Sequence, residues 1–413
     1  MQNKPKVLLI CTKDTKEVEA RYVREALEQH GVDVIHMDPS IRSVVEPLAE
    51  IPPEQVAAAG GMTLQQVRDL RHEGKCQAVM IEGAVKVAHE LHQRTPLGGI
   101  IALGGSMGST LGGAVMKTFP YGMPKVLVST MASGFTRPFV GAKDITMFNP
   151  VTDIAGLNTI TRAVFRNAAI AVAAMAKEYA PYQREPRPVI AMGTLGTIDR
   201  CTVRVRKKLE EKGYEVLVFH TLGTGGMALD EFVSERDVAA VIETSLNEHN
   251  DFLNNGITSA GPDRSKAALK KGVPVVFAPG NADFMVSGPI EMARQQFPGK
   301  RYHLHNAALT AVRTEAEELD KLARHLAGLV AEAQGPVSVL VPLKGFSNHD
   351  SPEGHLHDPS LCPVFYDGVK SNMPPFVNVA NFNCHLNDEQ FADALVDEVL
   401  KLIAQRQAAT SQA

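Results

Sequence analysis

The sequence predicts an α/β protein of two Rossmann-like domains, each with a mostly parallel sheet, and an interdomain cleft. Three observations carry this. Short, continuously apolar, β-rich runs alternate with helical patterns along the 413 residues. Such strands pair in parallel, because crossover helices cover both faces of the sheet. The alternation is interrupted once, by the Pro-rich stretch Pro181–Pro188, whose three prolines cannot continue a helix. The segments on either side of it resemble each other. Val7–Thr12 leads through Asp14 and Thr15 into LEQHGVDVIHMD, and Val189–Thr194 leads through Gly196 and Thr197 into LEEKGYEVLVFH. A duplicated unit follows, with domains expected at 1–182 and 187–413.

In the first half, Lys6–Thr12 reads as a strand. Thr15–His30 reads as a helix, with Val18, Tyr22, Val23, Ala26 and Leu27 at helical spacing and Gly31 as its stop. Val32–Met37, Ala78–Ile81, Gly99–Leu103 and Lys125–Ser129 read as buried strands, and Asp153–Ala180 as a long Ala-rich helix. In the second half, strands are expected at Val189–Gly193, Glu215–His220, Val238–Glu243, Val273–Ala278, Arg301–His305 and Val337–Pro342. Helices are expected at Cys201–Lys212, Glu315–Ala333 and Asp388–Gln405.

Composition narrows the function. With 42 basic and 46 acidic residues the net charge is −4, and no basic stripe is present, which argues against a nucleic-acid partner. The longest weakly polar stretch, Ala168–Ala176, falls short of a membrane span. The N-terminus lacks the apolar core of a signal peptide. Five dispersed cysteines without a CxxC pair fit reduced thiols. A cytoplasmic protein is expected.

Ligands of open α/β sheets bind beyond the carboxyl ends of the strands, so chemistry is sought in those loops. Thr12, Asp14, Thr15 and Lys16 follow the first strand and open a helix, where free N–H groups and the helix dipole suit an anion. An N-capped helix start would explain the same residues. In IALGGSMGSTLGG, a strand runs into Gly104, Gly105, Ser106, Gly108, Ser109 and Thr110, a loop whose glycines allow close backbone approach and whose hydroxyls add donors. It is neither a Walker A loop nor a plain GxGxxG fingerprint. His220–Gly226 (HTLGTGG) is a third strand–glycine–helix turn. Glu243, Asp263 with Arg264, Asp283 and His305 sit at expected strand ends or helix entrances. Glu243, Arg264, Asp283 and His305 together could bind a carboxylated or phosphorylated metabolite in the interdomain cleft, or act as acid and base. Taken singly, each is a cap or turn residue. The run His349, Asp350, His355, His357, Asp358 has an HxH spacing that suits a metal, although a polar loop is the commoner explanation and no metal is expected.

These segments, in this order, resemble the Tm-1-like ATP-binding family, also called UPF0261. The resemblance spans nearly the whole chain and rests on TKDTK (Thr12–Lys16), GGSMGST (Gly104–Thr110), KVLVSTMASG (Lys125–Gly134), DIAGLN (Asp153–Asn158), FHTLGTGG (Phe219–Gly226), SAGPDR (Ser259–Arg264) and PGNAD (Pro279–Asp283). It implies a two-domain α/β homodimer that binds ATP, alone or with magnesium, at the Thr12–Lys16 and Gly104–Thr110 loops. Two positions depart from the family pattern: Cys11 and Glu17 stand where glycines flank the first loop. Glu17 would bring a negative charge towards any phosphate there. A nucleotide-binding protein is the leading expectation. The alternatives are an enzyme on a small metabolite and a non-catalytic metabolite sensor.

Overall fold

The computed structural model describes residues 4–179 and 187–412. The chain divides into two compact units, Met1–Gln183 and Arg184–Ala413. Residues 181–186 of the Pro-rich stretch lie outside the described residues.

The first unit is built on strands β1 (Lys6–Ile10), β2 (Asp33–Met37), β3 (Leu97–Gly104), β4 (Lys125–Ser129) and β5 (Thr146–Phe148). They form one parallel sheet in the order β2-β1-β3-β4-β5. Strand side chains alternate between faces, and each face has its own core. Leu8 and Ile10 pack beneath the helices Pro53–Ala59, Glu73–Arg94 and Ser106–Lys117. Val7 and Leu9 pack against Lys13–Gln29 and Thr159–Glu178.

The second unit repeats the plan. Strands β6 (Val189–Thr194), β7 (Glu215–His220), β8 (Ala240–Ser245) and β9 (Val275–Gly280) are followed by three short strands: β10 (Phe284–Ser287), β11 (Tyr302–Leu304) and β12 (Thr310–Arg313). Strands β13 (Val337–Pro342) and β14 (Asn378–Phe382) close the series. The main sheet runs β14-β13-β9-β8-β6-β7, parallel throughout. In each unit the first strand lies between the second and the third. The chain therefore reverses direction across the sheet at β1/β3 and at β6/β8, and an open α/β sheet has its crevice there. The expected α/β class with two Rossmann-like units holds.

Three expected elements differ. Ala78–Ile81 lies inside the helix Glu73–Arg94, not in a strand. Four apolar residues fit either period; Cys76, Met80, Ala84, Val87 and Ala88 are all buried at helical spacing and decide it. The long helix begins only at Thr159, where Asn158 caps it through Ile160 and Thr161, so DIAGLN is a turn. Arg301–His305 contributes β11 to a separate antiparallel sheet, β10-β12-β11, rather than to the parallel one.

Candidate functional site

The loops after β1 and β3 open into one cleft of about 1230 Å³, counted to its solvent mouth. Thr12, Asp14, Thr15 and Lys16 line one side; Gly104, Gly105, Ser106 and Gly108 line the other. The first loop is held by hydrogen bonds to the segment after β2. Asp38 Oδ1 accepts from Lys13 N (2.9 Å), Ser40 Oγ accepts from Asp14 N (3.0 Å), and Asp14 Oδ2 accepts from Arg42 N (3.0 Å). Thr12 and Thr15 share a hydroxyl hydrogen bond of 2.9 Å. Lys13 turns away: it is buried, and its ammonium donates to the carbonyls of Val45 and Pro47. Lys16 breaks the helical dihedrals (φ −141°, ψ 33°) and donates 2.7 Å to the carbonyl of Ile154, which ties DIAGLN to this loop.

The glycines of the second loop do two different jobs. A Cβ on Gly104 would lie 2.6 Å from Gly108 Cα, so that pair lets the helix pack onto its own strand. A Cβ on Gly105 would find nothing nearer than 3.7 Å. Gly105 is the N-cap of Ser106–Lys117, and no side chain caps that helix. Its first-turn N–H groups are therefore available to a ligand. Ser109 and Thr110 do not line the cleft. Ser109 is buried and hydrogen-bonded to Ser129 Oγ at 2.6 Å. Thr110 returns its hydroxyl to the carbonyl of Ser106 at 2.8 Å, one helical turn back. Glu17 is likewise outside the cleft lining; it faces Arg21 at 3.5 Å.

Two arginines that sequence reasoning missed, Arg42 and Arg71, line the same cleft, with His72 and Glu73 beside them. Arg71 holds φ +46°, a backbone state uncommon outside glycine. An apolar recess of about 420 Å³ shares Thr12, Pro39, Ile41, Leu103, Met107 and Gly108 with the cleft and continues inward to Ile10, Cys11, Met80 and Leu111.

The second-unit candidates fall in three separate places. Arg264 is buried and grips Glu243 in bidentate fashion, Nη1 to Oε1 at 2.6 Å and Nη2 to Oε2 at 2.7 Å. Its Nε donates to Glu248 Oε2 at 2.6 Å, and Nη1 reaches Asp230 at 3.2 Å. Burial pushes the Asp230 carboxyl up to about 6 despite Arg264. Glu243 and Arg264 thus satisfy each other and form no open clamp. Asp263 is exposed and pairs with Lys266 at 3.1 Å. Asp283 lies in a different buried set, accepting from Ser347 Oγ at 2.7 Å and lying 3.9 Å from Arg313. Burial and the neighbouring Asp350 raise its pKa. His305 is exposed at the rim of a further cavity. The expectation that these four converge is not met. Glu243 lies within β8 and Arg264 just before the helix Lys266–Lys270, and Arg264 and the carboxylates turn inward, where burial without a partner would cost several kcal/mol.

The HTLGTGG turn has its own occupant. The N–H groups of Gly223 and Gly226 both donate to Glu248 Oε1, at 2.6 and 3.0 Å. A Cβ on Gly226 would lie 1.8 Å from Glu248 Oε2 and 2.3 Å from Arg264 Nε. In the His349–Asp358 run, Asp350 faces Arg313 at 3.3 Å and Asp358 faces Arg301 at 3.1 Å. Among the described residues, no group of three or more His, Cys, Asp or Glu is disposed to hold a metal.

Two family models divide the chain between them. "Uncharacterised protein family (UPF0261) N-terminal domain" matches residues 5–181, and the C-terminal domain of the same family matches 187–403. The chain belongs to the UPF0261 family. A UPF0261 protein of Clostridium tetani is 32% identical over 402 residues, covering 96% of this chain and 99% of its own length. Another, from Brucella suis, is 31% identical, with 94% of each chain covered. The tomato "ToMV resistance protein Tm-1(GCR237)" is 29% identical over 97% of this chain, which spans only 56% of that protein. A crystal structure of phosphoglycerate kinase from Pyrococcus horikoshii OT3 aligns with 98% of the chain and 97% of its own at 10% identity, but its TM-score of 0.14 carries no structural argument. No described helix of this UPF0261 chain is long and apolar enough to cross a membrane.

Proposed function

We propose that the first unit binds a nucleotide, ATP, with its phosphates between the Thr12–Lys16 and Gly104–Gly108 loops. The supporting observation is that these two loops, remote in sequence, line one cleft at the β1/β3 switch point. The cleft offers what a nucleotide requires. An uncapped helix start and the cations Lys16, Arg42 and Arg71 complement phosphate charge. The adjoining apolar recess suits a base. Asp14, beside the Thr12 and Thr15 hydroxyls, and Glu73 would hold an accompanying magnesium ion, which with phosphates typically uses one or two carboxylates. The ion would neutralise phosphate charge beside these two acids. A cytoplasmic homodimer belongs to the same proposal. It is supported by the resemblance to the Tm-1-like family and by five buried cysteines that form no disulfide. Light scattering on the purified chain tests the dimer.

Thermal unfolding with and without ATP, each with and without magnesium, tests the ligand. At a hundredfold excess over Kd, ATP should stabilise the protein by about 2.7 kcal/mol. Inorganic phosphate alone should do less, because it leaves the recess empty. An unmoved transition at millimolar ATP refutes the proposal.

A further inference from the structure

The second unit has a cavity of its own near the carboxyl end of β6, of about 630 Å³ with the open solvent at its mouth included. Its walls are largely apolar, with Leu222, Phe284, Val286 and Leu309 among them. Among the described residues, its ionisable lining residues are the imidazoles His220, His305 and His349, and no lysine, arginine or carboxylate lines it. Behind His349 the imidazoles continue, with His303 at 4.3 Å between ring centroids and His355 stacked on His303 at 5.1 Å. Thr310 also lines the cavity. It is fully buried, and its Oγ1 has no hydrogen-bond partner. An unpartnered buried hydroxyl is costly, and a hydrogen bond to a ligand would offset that cost.

We propose that this cavity binds a small carboxylic acid with an apolar body, the body against the aliphatic and aromatic wall and the carboxylate against His305, His349 and the Thr310 hydroxyl. The apolar wall and the lack of lysine or arginine disfavour a phosphate, which needs stronger cationic partners. A buried hydroxyl and clustered ring N–H groups are sufficient for one carboxylate. The imidazoles also explain how the charge is balanced. His349 is held down at about 4 by burial and by His303, His305 and His355. The buried charged residues nearby, Asp283, Asp350 and Arg313, are engaged with one another. His349 is therefore neutral at neutral pH. A carboxylate entering the cavity favours its imidazolium form, so binding takes up a proton and strengthens as pH falls.

Calorimetric titration of the full chain with phenylacetate and with isovalerate tests this, with 2-phenylethanol, inorganic phosphate and zinc sulfate as comparisons. Either acid should bind with one site per chain. Its affinity should rise by at least about fivefold from pH 8 to pH 6, with uptake of up to one proton. His349→Gln and the exposed-site variant His305→Gln should each weaken binding by about tenfold. Gly105→Val, in the first unit, should leave acid binding unchanged, which separates this site from the nucleotide site. No heat with either acid overturns the proposal. So does equal binding of 2-phenylethanol, a pH-independent affinity, or unaltered affinity in both histidine variants. Zinc binding that the histidine variants abolish, without acid binding, would make the cluster a metal site instead.

Discussion

Gly105 and Gly226 both stand at strand-to-helix turns, and they answer opposite demands. Gly105 borders open space, so a larger residue there obstructs only a ligand. Gly105→Val should fold with unchanged circular dichroism and lose the ATP-induced shift in melting temperature; a retained shift would place the phosphates elsewhere. Gly226 borders the Glu248 carboxylate and Arg264. Gly226→Ala should cost about 3 kcal/mol or more in urea unfolding, because neither neighbour has room to withdraw. The cleft arginines supply charge rather than packing. Arg71→Ala and Arg42→Ala should each weaken ATP by about tenfold, the worth of one charge-assisted hydrogen bond, with little change in stability.

At the scale of elements, Arg264 joins the β8 end, the Gly223–Gly226 turn and the helix Asn247–Asn254 through three carboxylates. Arg264→Met should destabilise the protein by about 3–5 kcal/mol, since Glu243, Glu248 and Asp230 would be left facing one another in a buried site. Asp230 also sets a pH dependence. Its folded-state pKa, about 6, lies above the ordinary 3.8. The folded state therefore binds its proton more tightly than the unfolded state does. The resulting stability is fully present below about pH 4 and is lost as pH rises through about 6, by at most about 3 kcal/mol. Urea unfolding from pH 4 to pH 7 should show that fall, and Asp230→Asn should remove its share, leaving the part due to Asp251 and Asp283, whose carboxyls burial raises in the same direction. The sequence shows the elements that are local and periodic, such as β4 at Lys125–Ser129 and β13 at Val337–Pro342. It misleads at Ala78–Ile81, where four apolar residues carry no period. The cleft loops are legible because glycine and hydroxyl residues after a strand have a local meaning. Arg42 and Arg71 are not, since only the tertiary fold brings the segment after β2 and the start of Glu73–Arg94 to the β1/β3 crevice. The inward turn of Arg264 is equally hidden. An Asp-Arg pair at a helix entrance reads as surface, and only the partners Glu243 and Glu248 make its burial affordable.

At the scale of the whole molecule, the two units repeat one winding, with separate cores in each. Residues 1–183 expressed alone should unfold in a single cooperative transition and keep the stabilisation by ATP; an unfolded fragment would show that the first core does not suffice. Two glycine turns between strand and helix differ in the two halves. After β3 the helix start at Gly105 is open. After β7 the donors of Gly223 and Gly226 are taken by Glu248, which reaches them from the helix Asn247–Asn254. A tethered carboxylate has a fixed effective concentration and is never diluted. The β7 turn should therefore be insensitive to the anions in solution, whatever the cell contains. Glu248→Ala would exchange that tethered anion for a diffusible one. The variant's melting temperature should then depend on formate or acetate, recovering at tens of millimolar, whereas the parent protein's should not.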